Sequence, residues 1–276
     1  MPSVDLAAFA DGLALDADGV WRSGAELKVD YPAGGHDFLA DVEDASFWVS
    51  HRLKSIGLLV NQWPPSGPLF DIGGGNGVVS ASLHEAGVEV VLVEPGADGV
   101  RRARARGLPT VVQAGLRTAG FLSGALPAVG MFDVLEHIED DVGTLAWLAR
   151  VIRPSGRLYL TVPALPWLWS VEDEHLGHHR RYTQAKLVRL VTEAGFEVDL
   201  ASYLFAPLVG PVLLLRSLPS ALGLRRSSHR LQRVEHRGGG IAWALSPLLA
   251  LERARLRSRR PIPLGTSVVL VARRRP

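Results

Sequence analysis

The stretch that decides the fold of this chain is Phe70-Asp71-Ile72-Gly73-Gly74-Gly75-Asn76-Gly77. Apolar residues lead into it, and a segment of helical composition, residues 77–85, follows the glycines. A buried strand that ends in glycines and opens a helix turns backbone N–H groups and a helix N-terminus toward a ligand. Glycine suits such a turn because the backbone must bend tightly and approach the ligand closely. The stretch therefore predicts a nucleotide-binding turn.

The spacing of the glycines narrows the choice of nucleotide. The dinucleotide fingerprint places a third glycine where this chain has Val78, and the Gly-Lys-Ser/Thr ending of a phosphate-binding loop is also missing. Asp71 stands on the strand just before the glycines, where its carboxylate would repel a pyrophosphate. The same carboxylate suits the ammonium and sulfonium charges of S-adenosylmethionine (SAM). SAM is therefore the predicted cofactor.

A second carboxylate, Glu94, closes the predicted strand 88–93. A carboxylate at a strand end can accept hydrogen bonds from two neighbouring ribose hydroxyls. The alternative is a strand end that faces solvent and binds nothing.

Strand and helix patterns alternate from residue 68 onward. The predicted strands are 69–72, 88–93, 109–113, 128–132, 157–162 and 196–200, and the predicted helices are 77–85, 97–106, 141–152 and 183–194. This alternation is typical of βαβ units, so we expect an α/β fold with a mostly parallel sheet and helices on both faces.

The segments on either side of this core complete a four-part organisation. Residues 1–66 are expected to form an irregular lead-in (1–35) and a helical cap (37–60), which Pro64-Pro65 ends. Residues 67–202 are the cofactor-binding core. Residues 203–262 read as a basic, mostly helical and amphipathic insertion, and residues 263–276 hold a final core strand (267–272) and a basic tail.

Composition and charge exclude some classes of protein and suggest a partner. The chain has no cysteine, which excludes thiol nucleophiles, disulfides and thiolate metal sites. Its net charge of +2 is unevenly distributed: residues 201–276 hold 14 Arg and 2 Glu. Such a basic segment favours an anionic partner, which leaves lipid headgroups, a phosphorylated substrate and nucleic acid open. No signal peptide or membrane-spanning stretch is predicted, and we expect a cytoplasmic location, with the inner face of the membrane as an option.

Beyond these features, the chain resembles class I SAM-dependent methyltransferases, of the type 11/12 group that includes the ubiquinone-biosynthesis O-methyltransferases. The resemblance covers residues 68–200 and 267–272, and rests on Phe70 to Gly77, Leu92-Val93-Glu94-Pro95, Met131-Phe132-Asp133-Val134-Leu135-Glu136-His137-Ile138 and the Arg153-Pro154-Ser155-Gly156-Arg157 turn. It implies a Rossmann-like seven-stranded sheet whose last strand is antiparallel, with the insertion before that strand and the N-terminal helix as a lid. In that helix Phe47, Trp48 and Arg52 could close the pocket or pack in the core.

The resemblance also implies which residues bind SAM. The expected cofactor-binding residues are Asp71, Gly73, Gly75, Asn76, Gly77, Glu94, Pro95, Asp133 and Val134. One feature departs from the family. An acidic residue usually follows the third strand and contacts the adenine amine, whereas this chain has Gln113-Ala114-Gly115-Leu116-Arg117. The adenine contact therefore stays open, with the backbone as one option.

Methyl transfer to a hydroxyl requires an aligned nucleophile, exclusion of water and removal of a proton. We name the segment 167–182 the lid, because its Trp, His and Arg content suits an acceptor pocket. The expected catalytic residues lie just past the fourth core strand and in the lid: His137, His178, His179 and Tyr182. His175 is a further candidate. The alternatives are that Glu136 and His137 cap a helix and that Arg181 and Tyr182 anchor the lid. A metal-free site is expected. The variant, implied by relatives that methylate a diol or catechol-like acceptor, is a divalent ion on Asp133, Glu136, His137 and either His178 or His179.

The sequence thus predicts methyl transfer to a hydroxyl or amine of a small or lipid-linked acceptor, with possible peripheral membrane contact through residues 203–262. A solvated helical subdomain or a dimer interface is the alternative for that segment. A nucleic-acid methyltransferase is disfavoured because the aromatic residues lie in the lid and not among the arginines. A non-catalytic partner subunit with the same fold is the remaining alternative.

Overall fold

The architecture is one nine-stranded sheet flanked by helices, seen in a computed structural model that describes residues 4–24, 46–224 and 239–276. The strand order is β1-β2-β5-β4-β3-β6-β7-β9-β8. The strands are β1 (Leu13–Leu15), β2 (Trp21–Ser23), β3 (Leu69–Ile72), β4 (Val90–Val93), β5 (Val111–Gln113), β6 (Leu126–Phe132), β7 (Ile152–Pro163), β8 (Phe196–Leu204) and β9 (Ser267–Arg274).

Seven of these strands, β5-β4-β3-β6-β7-β9-β8, form the predicted sheet. The pairs from β5 to β7 are parallel, whereas β9 runs antiparallel to both β7 and β8. All residues of β3 and β4 are buried, as expected for parallel strands covered on both faces. The predicted fold class is confirmed, including the antiparallel last strand and its position after the insertion.

A short N-terminal hairpin extends the sheet beyond β5. Asp16 closes its turn, since Oδ1 accepts hydrogen bonds from the N–H groups of Asp18 (2.9 Å) and Val20 (3.0 Å). Strand β2 then pairs with β5 in parallel. The expectation of an irregular lead-in over 1–35 is therefore wrong for this hairpin, because three-residue strands carry too little alternation to stand out in a sequence. Residues 25–45 lie outside the described residues.

Helices cover both faces of the sheet: α1 (Phe47–Gln62), α2 (Val78–Glu85), α3 (Ala97–Ala105), α4 (Asp141–Val151), α5 (Val171–His175), α6 (Gln184–Glu193), α7 (Val209–Val212), α8 (Leu218–Ala221) and α9 (Gly239–Arg257). Ser46 caps α1 by accepting from the N–H of Val49, and Thr183 caps α6 by accepting from that of Lys186. The predicted cap helix is confirmed from residue 47 onward, while its first part, 37–45, lies outside the described residues.

The insertion is mostly helical where it is described, and the buried carboxylate of Glu252 ties it to the core. A π-helical turn, Leu213–Ser217, joins α7 to α8. Glu252 of α9 accepts hydrogen bonds from the N–H groups of Phe205 (3.0 Å) and Ala206 (2.6 Å) and lies 3.0 Å from Nε2 of His51 on α1. Residues 225–238 lie outside the described residues. Among the helices that are described, none has the length and apolar character needed to span a bilayer.

Candidate active site

The glycine turn lies between the carboxyl ends of β3 and β6. Gly73, Gly75 and Gly77 have φ values of 75°, 53° and 76°, a left-handed conformation that only glycine adopts easily. A β-carbon on Gly73 would stand 2.8 Å from Cγ2 of Val134, just after β6. The turn therefore needs glycine at position 73 for two reasons, backbone conformation and the approach of Val134.

Glu94 fastens the turn to the end of β4. Its Oε2 accepts a hydrogen bond from the N–H of Gly75 (2.9 Å) and its Oε1 accepts one from that of Gly96 (2.8 Å). Glu94 is buried, so the alternative of a solvent-facing strand end does not hold. These two hydrogen bonds hold the Glu94 carboxylate at the carboxyl end of β4. Pro95 follows directly.

Asp71 lies beneath the turn and is 1% exposed. Its Oδ2 accepts a hydrogen bond of 2.6 Å from the hydroxyl of Ser80. Burial raises the pKa of Asp71 to about 7, with a further increase from the nearby charge of Glu94 and a partial offset from Ser80. A cationic ligand close to this carboxyl group would stabilise its ionised form. Asn76, at the far side of the turn, is also buried, and its carbonyl accepts from Nε of Arg106 at 3.0 Å.

Arg52 of α1 reaches over the end of β6 and forms an ion pair with Asp133. Asp133 has a φ of 56° and accepts a hydrogen bond of 3.0 Å from the Thr161 hydroxyl. The guanidinium of Arg52 lies 3.7 Å above the ring of Trp48, which stacks on Phe205 with 5.1 Å between ring centroids. Burial lowers the pKa of Arg52 to about 9, and the charge of Glu136 opposes this. Helix α1 thus lies over the carboxyl end of β6, in agreement with the expectation that the N-terminal helix covers the active site.

Glu136, His137 and His178 form a compact group, named here the Glu-His-His cluster. One donor atom from each lies within 4.8 Å of the other two, and the rings of His137 and His178 are 4.8 Å apart. Both carboxylate oxygens of Glu136 are buried and accept no hydrogen bond from the described residues. Burial raises the pKa of Glu136 to about 8, whereas burial and the neighbouring histidines lower that of His137 to about 4.

A buried carboxylate, Asp173, organises the lid. It accepts hydrogen bonds from Arg181, with Nε 2.8 Å from Oδ1 and Nη2 2.9 Å from Oδ2, and Nδ1 of His178 lies 2.9 Å from Oδ1. Burial alone would raise the pKa of Asp173, but the hydrogen bonds from His178 and Arg181 outweigh it and lower that pKa. The N–H of His179 donates to the carbonyl of Glu136 at 2.8 Å, which joins the lid to the segment after β6.

A family model described as a methyltransferase domain matches residues 49–201, more than half of the chain. The chain belongs to this methyltransferase family. It is 30% identical over 120 residues to a ubiquinone biosynthesis O-methyltransferase of Xanthomonas oryzae, a match covering 41% of this chain and 46% of the relative. The chain thus spans about half the length of that curated relative.

Solved structures agree on the fold. A SAM-dependent methyltransferase from Mesorhizobium loti superposes with a TM-score of 0.51 at 15% identity, covering 84% of this chain and all (100%) of that one. A chain from the Haloferax volcanii complex of the Trm112 methyltransferase activator and a methyltransferase gives a TM-score of 0.56 at 16% identity, covering 88% and 94%. The predicted class I SAM-dependent methyltransferase family is confirmed, and SAM is the cofactor of that family.

Two of the expected catalytic residues occupy other environments in this methyltransferase. The Tyr182 side chain is fully buried, and its hydroxyl donates to Oδ2 of Asp141 at 2.9 Å. Burial raises the pKa of Tyr182, so its phenol stays protonated at neutral pH and cannot accept a proton from the methyl acceptor. This geometry gives Tyr182 the anchoring role held as the alternative, because its hydroxyl is already engaged. His179 is exposed, as is His175, whereas His178 is half-buried.

Sequence reasoning gave no role to Asp173, although it organises the lid. A signal was present, because Ser170 and Asp173 have the spacing of a capping box, and the structure contains that box. The partnership between Asp173 and His178 across five residues could not be deduced from spacing alone, since it depends on how the short helix α5 turns.

Proposed function

We propose that this chain transfers the methyl group of SAM to a hydroxyl, or an amine, of a small or lipid-linked acceptor. The observation that carries the proposal is His178, which a buried carboxylate holds beside the segment that follows β6. Val134 of that segment also contacts the glycine turn. The segment after β6 thus lies between the glycine turn and His178.

Three charged side chains would hold SAM. Glu94 would accept hydrogen bonds from the ribose hydroxyls, and Asp71 would stabilise the cationic end of the methionine moiety. Arg52 would receive the carboxylate of that moiety, because a buried guanidinium favours anionic partners and binds carboxylates with good geometry. Gly73, Gly75, Asn76 and Gly77 would line the cofactor through the backbone, with Pro95, Asp133 and Val134 beside it.

His178 is the favoured base. The hydrogen bond from Nδ1–H to Asp173 fixes the ring and leaves Nε2 as the proton acceptor, which is how carboxylate–histidine pairs work in other enzymes. His137 is a weaker candidate because its pKa near 4 gives it little affinity for a proton at neutral pH. His178 would accept the proton of the acceptor hydroxyl, and SAM, when bound, would supply the methyl group, so that the O–CH₃ bond forms as the S–CH₃ bond breaks and S-adenosylhomocysteine is left.

A metal-assisted version is a second candidate. The Glu-His-His cluster favours it, since one carboxylate and two imidazoles suit a divalent ion and a buried carboxylate without hydrogen bonds calls for a partner. Such an ion would lower the pKa of an acceptor hydroxyl. We propose the metal-free version, because His178, oriented by Asp173, already supplies a base.

We further propose that the acceptor is lipid-linked and that residues 203–262 contact the surface of an anionic membrane. Support comes from seven leucines of this segment, here called the leucine surface, whose exposed fractions run from 44% to 78%: Leu214, Leu215, Leu218, Leu222, Leu224, Leu248 and Leu251. Exposed apolar groups in this number are typical of an interaction surface.

The charges beside the leucine surface favour a lipid headgroup over a protein partner. Helix α9 ends in the exposed arginines Arg255 and Arg257, and Arg259 and Arg260 follow them. Each arginine near an anionic bilayer contributes about 1 kcal/mol to binding. Ser217 donates to the carbonyl of Leu168 at 2.9 Å, and the N–H of Val171 donates to Ser220 at 2.8 Å, so this segment adjoins the lid. Trp167 of the lid is 52% exposed.

Vesicle co-sedimentation tests the membrane contact. We expect binding to phosphatidylcholine vesicles that contain phosphatidylglycerol, weaker binding without the anionic lipid, and loss in a double variant, Leu214→Ser with Leu222→Ser. Val142→Ser, an exposed apolar residue of α4 (59% exposed), is the matched control. Equal sedimentation of the double variant and the control would contradict the proposal.

The reaction is tested by incubating the full chain with methyl-labelled SAM and, in separate samples, a lipid extract, a polar metabolite extract or total nucleic acid. We expect label in a lipid product. Label among polar metabolites alone would exclude the lipid-linked acceptor, and label in nucleic acid would favour the alternative class of substrate. Binding of SAM without transfer to any fraction would favour a non-catalytic partner subunit. The cytoplasmic location stays a prediction.

A further inference from the structure

Gln113, the last residue of β5, has a buried carbonyl oxygen that accepts no hydrogen bond from the described residues. The residue is 8% exposed. Its Nε2 lies 3.4 Å from the carbonyl oxygen of Pro95. A carbonyl oxygen can only accept a hydrogen bond, so this contact assigns the NH₂ group to the Pro95 side and leaves Oε1 as the unpartnered atom.

The sheet register places Gln113 beside the ribose-binding end of β4. Val93 pairs with Val112, and the N–H of Glu94 donates to the carbonyl of Val112 at 2.9 Å. Gln113 therefore ends β5 at the level where Glu94 and Pro95 follow β4. A base attached to a ribose on Glu94 would lie at this edge of the sheet, since ligands of such folds bind at the carboxyl ends of the strands.

The chemistry of the orphan atom selects its partner. An amide oxygen that is buried without a donor is costly, and structures of this kind supply a donor from a ligand or water. The 6-amino group of adenine is such a donor, and amide side chains recognise adenine through this amine in other complexes. The stretch 113–117 contains no carboxylate that could take the same role.

We propose that Gln113 Oε1 accepts a hydrogen bond from the 6-amino group of SAM and so selects adenine over other bases. The inference rests on the proposed SAM site. In this chain Gln113 would take the place of the acidic residue that the family resemblance implies, and the contact with the Pro95 carbonyl orients its amide group. A base with an oxo group at position 6 would set two acceptor oxygens against each other, and buried unpaired polar groups give strong discrimination.

The test uses calorimetry on the full chain with S-adenosylhomocysteine and S-inosylhomocysteine, which carries the 6-oxo group. The wild type is expected to bind the inosyl compound at least about tenfold more weakly, and Gln113→Leu should bring the two affinities within about twofold. Gln113→Glu, which keeps an acceptor, should retain the preference for the amino group. Thermal unfolding checks that each variant folds.

The outcomes separate this inference from the SAM site itself. A wild type that binds neither compound contradicts the SAM site. A wild type that binds both equally, or a Gln113→Leu variant that keeps the full preference, overturns the role of Gln113 alone. If Gln113→Leu does not fold, Gln113→Glu decides, because loss of the preference in that variant would also overturn the inference.

Discussion

Nδ1 of His178 lies 2.9 Å from Oδ1 of Asp173, a carboxylate that is 1% exposed and also binds Arg181. This arrangement fixes the ring of a lid histidine before any acceptor arrives. A preorganised histidine transfers protons more effectively than one that must be ordered during the reaction.

Asp173→Asn should therefore lower kcat by about tenfold to a hundredfold, because the amide can present its NH₂ group to His178 and disturb the tautomer. The KM for SAM should change little. Steady-state kinetics checks this, with Glu174→Gln as the matched control, since Glu174 is the exposed neighbour on the same helix. An unchanged kcat in Asp173→Asn would contradict the role of His178.

Gly73→Ala should remove SAM binding. The new methyl group would meet Val134 at 2.8 Å at a φ of 75°, so both the turn and its neighbour must move. Gly87→Ala is the control, since Gly87 has a φ of 87° with no atom within 4 Å of the added β-carbon. Both variants should lose about 1 kcal/mol or more of stability from backbone strain, but only Gly73→Ala should lose SAM in a calorimetric titration. Equal SAM affinities would contradict this account of the turn.

Arg52→Gln should weaken SAM binding by about tenfold to a hundredfold, the expected loss for one charge-assisted contact. Lys54→Gln on the exposed side of α1 should leave the affinity unchanged. Because the Arg52 variant also leaves Asp133 without its ion pair, Arg52→Lys serves as the partial rescue: it keeps the charge but not the fork of donors. If Arg52→Gln binds SAM as the wild type does, the carboxylate of SAM is held elsewhere.

The pH dependence of stability should carry the signature of Asp71. Its pKa in the folded chain, about 7, is above the ordinary value of 3.8, so between these values the native state holds a proton that the unfolded chain has lost. Stability should then fall as pH rises from about 4 to 7, by about 1–3 kcal/mol. Urea unfolding at pH 5 and pH 8 measures this fall, and Asp71→Asn should reduce it. The raised pKa of Glu136 acts in the same direction and the lowered pKa of His137 in the opposite one, so the comparison with Asp71→Asn decides. An equal pH dependence of stability in the wild type and Asp71→Asn would contradict the assignment.

Dialysis against EDTA should leave methyl transfer intact, as the proposed metal-free mechanism requires. The same experiment tests the Glu-His-His cluster: loss of activity with recovery on adding Mg²⁺, Mn²⁺ or Zn²⁺ would establish the metal-assisted version. Glu136→Gln is the companion variant, because it removes the anionic ligand and keeps the side-chain volume. Transfer that depends on metal in the wild type and is lost in this variant would place the ion at the cluster.

Local sequence patterns were sufficient to predict most of the fold and the glycine turn with Glu94 beside it. The strand at Phe70 and the glycine turn form one continuous motif, and Glu94 directly follows the next predicted strand, so spacing and periodicity were enough to predict their roles. The antiparallel order of β9 came from the family resemblance. The β1–β2 hairpin was missed because its strands are too short to show a pattern.

The remainder of the site depends on contacts between distant residues, which a single sequence does not encode in its spacing. Arg52 meets Asp133 only because α1 folds across β6, and Gln113 meets Pro95 only because β5 lies next to β4. The anchoring role of Tyr182 could not be predicted for the same reason, since its hydroxyl donates to Asp141, 41 residues earlier in the chain.

Titration calorimetry of the full chain with SAM and S-adenosylhomocysteine tests the central claim most directly. We predict one molecule of either compound bound per chain, with binding lost in Gly73→Ala and retained in Gly87→Ala. Absence of binding heat for both compounds in a folded wild type, or undiminished binding in Gly73→Ala, would contradict a SAM site at this glycine turn.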